Sequence, residues 1–132
     1  MPDLLAGRVQ FYFSPTPQAV GYVRDGRLRA LRVTSATRSA ALPDIPAIAE
    51  FVPGYEAIGW LGIGAPKGTS TEIIERLNAE IVALTTDPNI KARLLDLGVE
   101  PKPMTPAEFG KFIAAEVDKW AKVIKFANIE PE

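Results

Sequence analysis

The 132-residue sequence contains no cysteine and no histidine. These absences exclude zinc sites built from Cys and His, thiol catalysis and every catalytic dyad that relies on a histidine base. Fifteen basic and sixteen acidic residues give a net charge of -1, and no basic block indicates affinity for nucleic acid or anionic lipid. No apolar run is long enough to cross a bilayer. We therefore expect neither a thiol or zinc enzyme, nor a nucleic-acid-binding protein, nor a membrane-spanning one.

Apolar and turn-forming residues divide the first half of the chain into short segments. Hydrophobic residues make up 47% of the sequence, which predicts a folded core. Runs of β-branched and aromatic residues bounded by turn residues predict three strands, at 9–13, 28–34 and 55–65. A helix over 18–24 between the first two strands predicts a βαβ unit with a right-handed crossover. A short helical segment over 45–51 precedes the third strand, so we predict an α/β fold with parallel-type strands.

Three amphipathic helices are predicted in the second half of the chain, over 69–84, 88–97 and 105–124. Thr69 and Glu72 have the spacing of a capping box at the start of the first. Thr105 and Glu108 have the same spacing at the start of the last, with a proline between them. Trp120 lies on the apolar stripe of that last helix, and we expect it in the core.

The stretch 14–18, with the sequence SPTPQ, is the leading candidate for a binding site. It leaves a predicted strand and enters a helix, where a parallel α/β sheet presents backbone N–H groups at a positive helix end. Thr34 and Ser35 end the next strand and could line the same cleft, although a turn role fits them equally well. The predicted ligand-binding residues are Ser14, Pro15, Thr16, Gln18, Ala19, Thr34 and Ser35. The alternative is a capped turn that holds no ligand.

Other candidate groups carry weaker signals. Arg29, Arg32 and Arg38 lie in or after the second predicted strand, where a guanidinium could bind a carboxylate or form an ordinary ion pair. Trp60 could line a ligand pocket or pack between sheet and helix. The serines have neither a histidine nor an SxxK spacing to activate them, and the acidic pairs show no metal-binding pattern. We therefore expect no catalytic residue, no metal and no cofactor.

Several longer motifs resemble one protein family in the same order. They are DLLAGRVQFYF, GRLRALRVTSATRSAALPDIPAIAE, GYEAIGWLGIGAPKGT, IIERLNAEI and EFGKFIAAEVDKWAKVIKFANIEPE. Together they resemble the Bug family, the TctC-like extracytoplasmic solute receptors of tripartite tricarboxylate transporters. The resemblance covers essentially the whole chain, which is similar to the C-terminal half of such a receptor.

The resemblance implies a partial type II periplasmic-binding-protein fold, in which a carboxylate lies between two lobes. It implies that residues 1–55 belong to the second ligand-binding lobe. Residues 56–132 would supply a crossover strand and the C-terminal helices of the first lobe. The corner at 14–18 then corresponds to the family's second ligand-binding loop. The family often has an acidic residue at the position of Ser14, and serine replaces it here. A plain di- or tricarboxylate or an aromatic carboxylate is therefore at least as plausible a ligand as an acidic amino acid.

The resemblance also implies transporter membrane components as partners and a periplasmic location, although the start MPDLLAGRVQ lacks the pattern of a signal peptide. The helical stripes at 69–84 and 105–124 would face a sheet that this half largely lacks. We therefore predict a homodimer, or an oligomer formed by exchange of residues 66–132. The alternative function is a non-binding module for oligomerisation or interaction, derived from such a receptor.

Overall fold

The computed structural model describes residues 1–130, and its regular structure is helical. The helices are α1 (Pro2–Leu5), α2 (Thr16–Arg24), a short 3-10 helix (Ile48–Glu50), α3 (Thr71–Thr86), α4 (Pro88–Asp96) and α5 (Pro106–Phe126). The predictions of helices at 18–24, 88–97 and 105–124 are confirmed to within two residues at each end. The predicted helix at 69–84 begins later, at Thr71, because the Thr69 hydroxyl donates to the Pro66 carbonyl in the preceding turn, at 2.9 Å.

Side-chain caps define the starts of α4 and α5. A carboxylate oxygen of Asp87 accepts hydrogen bonds from the N–H groups of Asn89 and Ile90, at 2.9 and 3.1 Å. Thr105 Oγ1 accepts from the Glu108 N–H at 3.2 Å, and Glu108 Oε2 accepts from the Thr105 N–H at 2.8 Å. This reciprocal pair is the capping box that the sequence predicts, and it satisfies two N–H groups that the first turn of a helix leaves without partners.

The predicted strands at 9–13, 28–34 and 55–65 do not form within residues 1–130, where the β-structure is one isolated parallel bridge between Val33 and Ala47. The predicted βαβ unit is therefore not confirmed. The physical reason is that a strand is defined by its neighbours, since its N–H and C=O groups must bond to an adjacent segment. Residues 61–64, for example, make no backbone hydrogen bond with any other described residue.

Three segments nevertheless meet around Val33. Its N–H donates to the Pro46 carbonyl at 3.1 Å, and its carbonyl accepts from the Ile48 N–H at 3.0 Å. The carbonyl of Thr34, the next residue, accepts from the Ala57 N–H at 2.9 Å. Successive residues of an extended segment direct their backbone groups to opposite sides, so the segment at 33–34 bonds to two neighbours.

The chain divides into two compact units. The first contains Met1–Gly64 and Asp87–Pro101, and thus α1, α2, the 3-10 helix and α4. The second contains Ala65–Thr86 and, from Lys102, the described remainder of the chain, and thus α3 and α5. Within the second unit α3 packs against α5, and Asn78 Nδ2 donates to the Met104 carbonyl at 2.8 Å.

Few hydrophobic side chains are buried. Among the described residues, Val20 and Ala47 form the buried apolar set, whereas large apolar side chains are exposed along α3, α5 and the segment at 57–64. Trp120, which the sequence places in the core, is 39% exposed. That prediction is wrong because amphipathic spacing shows which face of a helix is apolar, but not whether another element covers it.

Candidate functional site

The corner at 14–18 lies where an irregular segment enters α2. Pro15 is the N-cap residue, with φ -53° and ψ 132°, and α2 begins at Thr16. Ser14 and Thr16 are half-buried, whereas the side chains of Pro15 and Gln18 are exposed. The helix predicted after the corner is thus confirmed, but it begins at Thr16 and includes the last three residues of the corner. The role of the corner in binding stays a prediction.

The first turn of α2 has fewer backbone donors than an ordinary helix start. Proline has no N–H, which removes Pro15 and Pro17. The Gln18 N–H is occupied, because it donates to the Pro15 carbonyl at 3.0 Å. That leaves Thr16, whose N–H has no partner among the described residues. Any anion at this corner would therefore receive one backbone donor from the first turn, together with the side-chain donors beside it.

The corner also carries three polar side chains, those of Ser14, Thr16 and Gln18. The Ser14 hydroxyl donates to the Pro15 carbonyl over 3.3 Å, a long contact that a better acceptor could replace. Thr16 Oγ1 makes no hydrogen bond with another described residue, and Gln18 extends into solvent. Ala19, also a predicted ligand-binding residue, is half-buried on the next turn. No carboxylate lies in the sequence from Ser14 to Ala19, so the corner offers hydrogen-bond donors without negative charge.

Gly98, which follows the C-cap residue of α4, packs against the corner, a relationship that the sequence does not reveal. A Cβ atom built on Gly98 would lie 2.5 Å from Thr16 Cγ2 and 3.1 Å from Thr16 Cβ. At the other end of α2, Arg24 Nη1 lies 2.8 Å from Asp96 Oδ1. The sequence marks Gly98 as the end of a helix, but it contains no signal for the residue packed against that glycine.

Thr34 and Ser35 have structural partners of their own. The Thr34 carbonyl accepts from Ala57, as described above, and the Ser35 hydroxyl donates to the Thr37 carbonyl at 2.7 Å. The second bond is typical of a serine that closes a turn, the alternative that the sequence left open. Among the described residues no hydrogen bond joins this pair to Ser14 or Thr16, and their place in a ligand site stays a prediction.

The candidate arginines are engaged with the protein itself. Arg38 contacts both carboxylate oxygens of Glu50 at 2.9 Å. The guanidinium of Arg32 lies 4.6 Å from the centre of the Phe51 ring and donates to a neighbouring carbonyl. Arg29 is exposed. A cleft of about 520 Å³ includes Arg38, Ser39, Lys91 and Glu100 in its lining, but it contains none of the predicted site residues.

Two further features of the described residues bear on function. They contain no group of three or more acidic side chains placed to hold a metal ion. None of their helices combines the length and the apolar character that crossing a bilayer requires.

Comparison with known sequences matches this chain to a family model and to individual proteins. The family model described as the tripartite tricarboxylate transporter family receptor matches residues 1–129. A UPF0065 protein from the tcbD-tcbE intergenic region of a Pseudomonas species is 37% identical over 92% of this chain and 37% of its own length. Protein BugT of Bordetella pertussis is 35% identical over 93% of this chain and 38% of its own length. The chain thus spans about two fifths of the length of these relatives.

Solved structures show the same likeness in three dimensions. An R. palustris protein determined with adipate has a TM-score of 0.90 and 37% identity, over 99% of this chain and 44% of that protein. The periplasmic binding protein BugD has a TM-score of 0.81 and 28% identity, over the whole of this chain and 45% of that protein. These likenesses support the prediction of a partial periplasmic-binding-protein-like fold, although its parallel strands are not confirmed.

Proposed function

The chain belongs to the tripartite tricarboxylate transporter family receptors, and we propose that it contributes the corner at 14–18 to a binding site for small carboxylates. Members of this family are periplasmic solute-binding proteins and not enzymes. Family membership therefore confirms the prediction that the chain has no catalytic activity, and it confirms the family that the sequence motifs indicate.

The observation that carries the proposal is the set of donors at the start of α2. The Thr16 N–H and the Thr16 hydroxyl, which have no partner among residues 1–130, lie at the positive end of a nine-residue helix together with the weakly engaged Ser14 hydroxyl. Helix N-termini stabilise negative charge through such N–H groups and through the helix dipole. Hydrogen bonds to a charged acceptor are also about twice as strong as neutral ones. This corner can therefore hold a carboxylate without a basic side chain.

The same corner favours a carboxylate that carries no amine. An ammonium group is bound best by a carboxylate, and the sequence from Ser14 to Ala19 contains none. The R. palustris relative was determined with adipate, a dicarboxylate without an amine. A straight-chain dicarboxylate is accordingly the first ligand to test, followed by a tricarboxylate and an aromatic carboxylate.

The lobe assignment is part of this proposal. Residues 1–55 would belong to the second ligand-binding lobe, and residues 56–132 would supply a crossover strand and helices of the first. In a whole receptor the segments at 9–13, 28–34 and 55–65 would pair as parallel-type strands. The partners would then be the membrane components of the transporter, and the site of action would be the periplasm.

A second candidate function rests on a different observation. The apolar side chains along α3 and α5 are exposed, and exposed apolar patches often mark association sites. A module that oligomerises or binds another protein without binding a small molecule would use these faces and leave the corner as a simple turn.

Isothermal titration with adipate, citrate and benzoate, supported by thermal shifts, separates the two functions. A ligand present at a hundred times its Kd should stabilise the folded state by about 2.7 kcal/mol. Thr16→Val removes the hydroxyl at nearly constant volume and should weaken binding about tenfold. Thr37→Val makes the same change at an exposed turn and should leave affinity unchanged. Absence of binding by the whole panel, measured on a sample of known oligomeric state, would favour the non-binding module.

A further inference from the structure

We propose that Gly98, two residues after the end of α4, is a positioning residue for the ligand corner, because only a residue without a side chain leaves room there for the observed rotamer of Thr16. The inference rests on the proposed function and assigns to Thr16 Oγ1 the task of donating to the bound carboxylate. Gly98 itself would contact no ligand.

The first step in the argument is the closeness of the two residues. A Cβ atom at position 98 would lie 2.5 Å from Thr16 Cγ2, 3.1 Å from Thr16 Cβ and 3.5 Å from the Thr16 carbonyl carbon. Carbon atoms in van der Waals contact lie 3.5 to 4.0 Å apart. Position 98 therefore accepts no side chain while Thr16 keeps its present rotamer.

The second step is the stiffness of threonine. Its β-branched side chain has few χ1 positions, and each staggered well places the methyl and the hydroxyl in different directions. With the methyl against Gly98, the hydroxyl must occupy another staggered position. Among the described residues that hydroxyl has no hydrogen-bond partner, and Thr16 is half-buried. The contact with Gly98 thus leaves the hydroxyl available at the corner.

The third step concerns the frame around the contact. Arg24 at the last turn of α2 is paired with Asp96 at the end of α4, at 2.8 Å. The two ends of α2 therefore contact the last residue of α4, Asp96, and Gly98, which follows the C-cap residue Leu97. An exposed ion pair alone contributes little, so we assign the positioning to Gly98 and only the alignment of the helices to Arg24.

Gly26 provides a matched control. It follows the C-cap of α2 as Gly98 follows that of α4, and its φ is +69° against +77° for Gly98. Both glycines adopt the left-handed conformation that disfavours side chains. A Cβ on Gly26, however, would have no atom within 4 Å. Gly26→Ala therefore reproduces the backbone strain of Gly98→Ala without the collision.

The experiment combines titration with adipate and NMR of the Thr16 χ1 angle, using methyl-labelled threonine, in the wild type and four variants. We expect Gly98→Ala and Gly26→Ala to lower the unfolding midpoint similarly, and only Gly98→Ala to shift χ1 and weaken binding about tenfold. Thr16→Ser, which lacks the methyl but keeps the hydroxyl, should bind within threefold of wild type. In the double variant with Gly98→Ala and Thr16→Ser the 2.5 Å collision with Cγ2 is gone and the 3.1 Å contact with the Cβ atom remains. Most of the affinity should therefore recover while the midpoint stays low.

The possible failures are distinguishable. If χ1 of Thr16 is averaged over several rotamers in the wild type, or if Gly26→Ala weakens binding as much as Gly98→Ala, the positioning role is wrong. The same holds if the double variant fails to recover affinity. If the wild type holds one χ1 rotamer that only Gly98→Ala shifts, yet binds no carboxylate, the proposed function is wrong whereas the control of Thr16 by Gly98 stands.

Discussion

Arg38 and Glu50 form a bidentate ion pair that closes the loop between them. Arg38 Nε lies 2.9 Å from Glu50 Oε1, and Arg38 Nη2 lies 2.9 Å from Glu50 Oε2. Glu50 Oε1 also accepts from the N–H of Ala47 at 2.8 Å, and Ala47 is the fully buried partner of Val33 in the parallel bridge. The pair thus connects the loop to the point where three segments meet.

The contribution of this ion pair to stability should decrease as the pH falls from 4.5 to about 2. The hydrogen bond from Arg38, followed by that from the Ala47 N–H, lowers the pKa of Glu50 from 4.5 to about 2. A carboxylate with a lowered pKa stabilises the fold fully above its unfolded pKa, and this contribution is lost as the pH falls through the folded value. Glu50→Gln should therefore lower the Tm at pH 7, and its difference from wild type should narrow between pH 4.5 and 2. Glu56→Gln, at an exposed residue, is the control, and a pH-independent difference for Glu50→Gln would contradict the prediction.

The capping box at α5 should contribute measurably to stability. Thr105→Ala removes the acceptor for the Glu108 N–H and should cost about 1 kcal/mol of unfolding free energy. Thr86→Ala is the matched control, because the Thr86 hydroxyl bonds back to the Val82 carbonyl within α3 and caps no helix start. Urea unfolding followed by circular dichroism measures the free energy of unfolding of both variants. An equal loss in the two would show that the cap makes no special contribution.

Replacing the buried Glu116 should lower the free energy of unfolding more than replacing an exposed acidic residue of α5. Glu116 is 8% exposed, accepts from Trp120 Nε1 at 3.0 Å and pairs with Lys119. Glu116→Ala deprives Trp120 of this acceptor and should cost about 1–3 kcal/mol. The same measurement on Asp118→Ala, at an exposed residue of the same helix, should give a change within about 0.5 kcal/mol. Similar losses in both variants would show that burial of Glu116 has no special effect.

We predict that the chain self-associates through the apolar face of α5. Ile113, Val117, Trp120 and Ile124 are exposed at intervals of four, three and four residues, the spacing of a helix–helix seam. Light scattering after size-exclusion chromatography should give at least a dimer at micromolar concentration. Val117→Lys should shift the equilibrium from dimer toward monomer. Ala115→Lys adds the same charge away from the seam and should leave the dimer intact. A monomeric wild type would contradict the prediction.

Local chemistry explains which parts of the fold the sequence predicts correctly. The starts of α4 and α5 follow from Asp87, Thr105 and Glu108, whose partners lie within three residues. The start of α3 differs from its prediction by two residues, because the Thr69 hydroxyl donates to the Pro66 carbonyl in the turn before the helix. The predicted strands are not confirmed, because the hydrogen bonds of a strand depend on neighbouring segments that sequence spacing alone does not identify.

The candidate site shows the same limit. The stiff proline corner before a helix is readable in the sequence, and the structure places α2 at Thr16. The Gln18 N–H is unavailable to a ligand because the geometry of the turn directs it to the Pro15 carbonyl. The packing of Gly98 on Thr16 joins residues from distant parts of the chain. Neither has a signal in a single sequence.

The lack of backbone partners at residues 61–64 has a consequence for amide hydrogen exchange. Leu61 is fully exposed, and this segment makes no backbone hydrogen bond within the described chain. Amides without such bonds exchange almost as fast as in an unfolded peptide, whereas those inside a long helix such as α5 exchange only after local opening. Deuterium uptake at these four residues would therefore fall sharply when any segment pairs with them, and it would report that pairing residue by residue.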